Sequence, residues 1–109
     1  MPEPPVATVA VTINVPPAFE DRLADWLLGR EDVTGFTSVT AYGHGANDGE
    51  LSVAEQVTGR QKRAEVRLEM AVDAVDTLLA ALAAAFDGTE LYYFVTPVLR
   101  SGHLRRRRT

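Results

Sequence analysis

A chain of 109 residues, 46% hydrophobic and 24% charged, has room for one globular domain and not for two. It contains no cysteine, which excludes disulfides and thiolate metal sites and makes a reducing cytosol the simplest compartment. The formal net charge is -4, and without Arg105, Arg106, Arg107 and Arg108 the rest would carry -8, so the body lacks the basic face that a nucleic-acid binder needs.

The start, MPEPPVATV, has no basic segment followed by a long apolar run, so no signal peptide is expected. Val6 to Val15 alternates with period two. Val9, Val11, Ile13 and Val15 point one way and Thr8, Ala10, Thr12 and Asn14 the other, which predicts a half-buried strand. Pro16-Pro17 ends it and suits a helix start. Residues 17–30 read as a helix with Phe19, Leu23, Trp26 and Leu27 on one face. Glu20 and Asp21 in its first turn and Arg30 near its end complement the helix dipole.

A second strand is expected from Val33 to Tyr42, a polar loop from Gly43 to about Thr58, and a third strand from about Arg60 to Val72. In the third strand Ala64, Val66, Leu68, Met70 and Val72 face the core, while Glu65, Arg67 and Glu69 face away. Asp73 reads as the cap of a second helix that carries Val75, Leu78, Leu79, Leu82 and Phe86 on one face and stops at Gly88. The apolar stretch from Leu78 to Phe86 is too short to cross a bilayer, so no membrane insertion is expected. Glu90 to Leu99 is the fourth strand, and Pro97 places it near an edge or bulge.

The order strand-helix-strand-strand-helix-strand predicts an α+β, ferredoxin-like βαββαβ domain over residues 1–109, a four-stranded antiparallel sheet with two helices on one face. The opposite face should carry Thr8, Thr12, Asn14, Ser38, Thr40, Glu65, Arg67 and Glu69. Residues 1–5 and 104–109 read as extended or disordered tails.

Two places could contact a ligand. At Gly43-His44-Gly45, glycine lets a backbone approach a ligand closely, or the segment simply ends a strand. His44 could bind a divalent metal if Asp48, Glu50 or Glu55 completed the site, or could be a solvent-facing histidine. Gly59-Arg60-Gln61-Lys62-Arg63, where the loop rejoins the sheet, could grip an anion through Arg60 and Arg63, or be a solvated strand start. No enzyme is expected. Ser38, Ser52 and Ser101 lack a strand-to-helix nucleophile elbow, and no nucleophile, base and oxyanion site can be named together.

Three segments together carry a family resemblance: GFTSVTAYGHG at 35–45 with the long loop after it, AEVRLEMAVDAVDTLLAAL at 64–82, and YYFVTPVLRSGHLRRRR at 92–108. In order and spacing they resemble the PII-like (nitrogen regulatory protein P-II) signalling superfamily, over most of the chain. SVAEQVTGRQKR after the glycine-histidine-glycine turn is similar to a bacterial PII-like group associated with heavy-metal efflux. The resemblance implies a homotrimer with ligand clefts between subunits, a mobile loop (the T-loop) that reports ligand state, and a partner such as a membrane transporter or efflux protein. By position it implies Gly43, His44 and Gly45 at the loop base and Arg100, His103 and Arg105 in the tail as ligand-binding residues. The segment from Phe86 to Glu90 departs from the pattern. It is short, has one glycine and lacks the glycine-glycine-lysine character that cradles phosphates, which argues against ATP sensing of the familiar kind. The cofactor stays open between a small anion, a nucleotide and a divalent metal. A CutA-like metal-tolerance accessory protein, or an adaptor trimer with an empty cleft, are the alternative readings.

Overall fold

The computed structural model describes residues 7–44 and 60–105. The first strand, β1 (Thr8–Val15), is central in a four-stranded sheet because its alternation supplies a fully apolar side. Val9, Val11, Ile13 and Val15 are all buried there. A 3-10 turn at Pro17–Phe19 leads into helix α1 (Glu20–Leu28), since proline fixes the backbone for a first turn that needs no N–H partner. Leu23 and Leu27, four apart on one face, are both buried.

The expected role of Arg30 as a helix-end charge is corrected. The helix ends at Leu28, and the guanidinium turns to Asp32 through two 2.9 Å hydrogen bonds. Those bonds hold the Asp32 carboxyl below the usual carboxylate range and raise Arg30 further above its ordinary value.

Strands β2 (Thr37–His44) and β3 (Arg60–Ala71) form an antiparallel pair. A second 3-10 turn at Val72–Ala74 opens onto helix α2 (Val75–Ala85). Asp73 lies inside that turn, and no side-chain cap bond is made at the start of either element, so the expected cap is not formed. Val75, Leu78, Leu82 and Phe86 are buried as their spacing predicts. The chain leaves the helix through Gly88, whose φ of +81° is open to glycine at little cost. Strand β4 (Tyr92–Pro97) follows.

The sheet order is β2-β3-β1-β4, with β1 antiparallel to both neighbours, which is the ferredoxin-like arrangement. One core holds the helices against the sheet. Arg22 locks the helices together at one end by donating to the Ala85 carbonyl at 2.7 Å, with its guanidinium 4.6 Å above the Phe86 ring. Trp26 meets the same ring edge-on at 6.1 Å.

The register corrects one expectation. Ser38 pairs with Val66 and Thr40 with Ala64, so both share the side of the sheet that carries the core residues. Val39 and Ala41 take the opposite face, across from Glu65 and Arg63. Ser38, Val39, Thr40 and Ala41 put small side chains on both sides of β2, so this stretch carries no orientation signal of its own. β3 imposes one.

Candidate functional site

Past the end of β1, which pairs as far as Ala64, β2 and β3 continue as a two-stranded ladder. The expected loop over Gly43 to Thr58 starts later than predicted, because Gly43 and His44 are paired strand residues opposite Gln61 and Arg60. Gly43 does not have a positive φ. A Cβ there would sit at ordinary distances, 3.7 Å from Arg63 Cγ and 3.8 Å from the Gln61 carbonyl oxygen. A role for Gly43 through special backbone freedom is therefore not what this conformation uses. Gly45 lies outside the described residues.

Period-two geometry divides the basic cluster between two faces. Tyr42 stands opposite Lys62 and His44 opposite Arg60, so these four share one face. There the Arg60 guanidinium lies 4.2 Å over the Tyr42 ring. Such a stack contributes about 0.5–1 kcal/mol at an exposed site and holds the guanidinium plane over the ring. His44 and Arg60 are exposed.

Arg63 is on the other face, only 8% exposed. Its Nε donates to the Asn14 side-chain oxygen, and one terminal nitrogen donates to the carbonyls of Asn14 and Glu90, both at 3.4 Å. The side chain thus bridges β3, the end of β1 and the segment before β4. Sequence reading misses Tyr42, taking it only as the last residue of a strand. Its place beside Arg60 follows only from the strand register.

The tail residues Arg100, His103 and Arg105 follow β4, and Arg100, His103 and Arg105 are all exposed. His103 lines an open cleft of about 570 Å³ with Ala10, Thr37, Arg67 and Glu69. That cleft is at the Thr37 end of β2, whereas His44 is at the other, seven residues on and roughly 24 Å away at about 3.4 Å per residue. One chain therefore does not bring the tail residues to the loop base. Among the described residues no three of His, Asp and Glu gather as a metal site, and the carboxylates considered for His44 lie outside those residues. No helix among the described residues is long and apolar enough to cross a membrane.

Residues 6–105 match the model of a family described as "Protein of unknown function (DUF3240)". The chain belongs to the DUF3240 family. A crystal structure of a DUF3240 family protein from Shewanella baltica OS155 is similar, with a TM-score of 0.75 and 17% sequence identity over 91% of this chain and 98% of that one. At that identity the likeness speaks for the fold. No curated protein matches the chain significantly in sequence.

Proposed function

We propose that this DUF3240 protein is a PII-like regulatory module, a homotrimer that takes a small anionic ligand at the subunit cleft beside His44 and Arg60 and passes the ligand state to a partner through the loop that follows. The observation that carries this reading is the Arg60–Tyr42 stack facing His44. His44 and Arg60 pair with each other and flank residues 45–59 in the chain, so a ligand on Arg60 would touch both flanks of that segment at once. A switch needs differential contact of this kind between two states.

Separation of His103 from the loop base within one chain fits a cleft completed by a neighbouring copy. The exposed aromatic strand β4 supports association, since contiguous exposed apolar surface marks interaction sites. The partner class, a transporter or efflux protein, and a cytosolic location come from the family resemblance.

Thermal unfolding across adenine nucleotides, bicarbonate and divalent metals tests the proposal. A ligand present at about 100 times its Kd adds about 2.7 kcal/mol to the folded state, a clear rise in Tm. The rise is expected with an anion, and Arg60→Ala should remove it while Lys62 and Arg63 are intact. A flat response to every compound contradicts the sensor reading.

A further inference from the structure

The aromatic edge of the molecule carries a second feature that the loop-base site does not use. A groove of about 270 Å³ opens between the end of α2 and the start of β4, floored by Leu79, Leu82, Phe86, Leu91 and Tyr93 and bordered by Asp87. Ala83 stands exposed on its helix side. The floor is apolar and the border acidic, with exposed Glu90 close by in the chain.

The same chain holds a segment of matching chemistry that is not satisfied where it lies. After β4, Leu99 and Leu104 are both almost wholly exposed, and Leu104 is followed directly by Arg105. An apolar side chain next to a cation fits an apolar slot with a carboxylate at its edge. The tail is not placed to fill its own groove. The groove is at the Tyr92 end of β4 and the tail leaves from the Pro97 end, roughly 17 Å away at about 3.4 Å per residue. From there it runs onto the opposite face of the sheet, where His103 lines the cleft with Ala10 and Thr37.

We infer that the groove between α2 and β4 receives the C-terminal tail of a second copy of this chain, with Leu104 in the apolar slot and Arg105 against Asp87. This rests on the trimer of the proposed function and names the contact by which one subunit would hold the next. Leu104 is then the seated residue and Arg105 beside it the charge partner.

The chain has no cysteine, so introduced cysteines report without background. The test uses full-length Ala83→Cys/Leu104→Cys with each single variant as control, oxidised at micromolar concentration and run on a non-reducing gel, and light scattering on the unmodified chain. Both positions are exposed in the single chain, so neither change should disturb the fold. Covalent dimers and higher species in the double variant, at least tenfold above either control, are expected, with mass spectrometry identifying a disulfide that joins position 83 of one chain to position 104 of another. A link confined within single chains overturns the inference, because the tail then folds onto its own groove. An oligomer by light scattering with no disulfide between the two introduced positions also overturns it and leaves the trimer standing. A single-chain mass overturns both. Asp87→Lys in the double variant should slow the crosslink severalfold, and an unchanged rate removes the charge contact from the account.

Discussion

β1 and β4 lie side by side in the same sheet and are both rich in apolar residues, yet they have opposite fates. In β1 the apolar residues alternate, and the side that carries them is covered by two helices of the same chain. Even Thr12, on the uncovered face, is 5% exposed, because Arg67 of β3 and Phe94 of β4 stand on either side of it. In β4 four large apolar residues follow one another, Tyr92, Tyr93, Phe94 and Val95, and all are exposed, Tyr92 to 63%. A run without alternation is apolar on both faces, and a single chain has helices for only one. The difference is that β1 is closed off within the single chain, whereas β4 leaves apolar residues open on both faces. An edge strand with exposed aromatic residues is a pairing hazard unless a partner covers it.

The largest effect expected from this comparison is on β1. Ile13→Ala removes fully buried methyl groups and should cost about 2–5 kcal/mol of folding free energy, read by urea unfolding. Phe94→Ala should instead leave the far-UV spectrum intact and make the protein smaller in solution. An equal loss of fold from both variants would erase the distinction between the strands.

Next in size is the contrast between Arg60 and Arg63. Arg63→Met strips the donors from the Asn14 side chain and the Glu90 carbonyl, and should cost about 1–3 kcal/mol in chemical unfolding. Arg60→Ala loses a surface stack and should cost under about 1 kcal/mol while abolishing the ligand response. Equal stability losses would mean that Arg60 is structural too.

Gly43→Ala sharpens the same contrast. The Cβ has room, so stability should rise by up to about 1 kcal/mol and ligand response should persist. Loss of the response would restore a role for the bare backbone there.

The smallest effect belongs to Arg30–Asp32, far from either strand's question. The Asp32 pKa is depressed in the folded state, so its contribution is complete above the ordinary carboxylate value of about 3.9 and fades as pH falls through the folded value. Asp32→Asn should therefore lower stability at neutral pH by about 0.5 kcal/mol or less and match the parent in strong acid. A difference that grows in acid would reverse the sign.

The fold was readable because β1 and β3 alternate strongly and the two helices carry their apolar residues three and four apart. Those local periods fix element type and buried side without knowledge of partners. β2 resisted for a physical reason. Ser38, Val39, Thr40 and Ala41 are small on both sides, and only pairing with Glu65, Val66 and Ala64 decides which way each points. The geometry of the candidate site was not legible in the sequence. Sequence shows a basic cluster at 60–63, and strand pleating assigns Arg60 to Tyr42 and His44 on one face and Arg63 to Asn14 on the other. The tail shows the same limit. Arg100, His103 and Arg105 can be matched by position to a ligand cleft, but the path of the chain after Pro97 takes His103 to the end of the sheet away from His44. β4 is apolar without alternation, so it carries no period from which a buried side could be read, and the single chain shows it only as exposure.

The central claim is that β4 and the loop base are completed by other copies of the same chain. Light scattering on the full-length protein at micromolar concentration tests it most directly. Three times the mass of one chain is expected, falling toward one with Phe94→Ala, whereas a parent protein that holds the mass of a single chain across the concentration range would contradict the trimer.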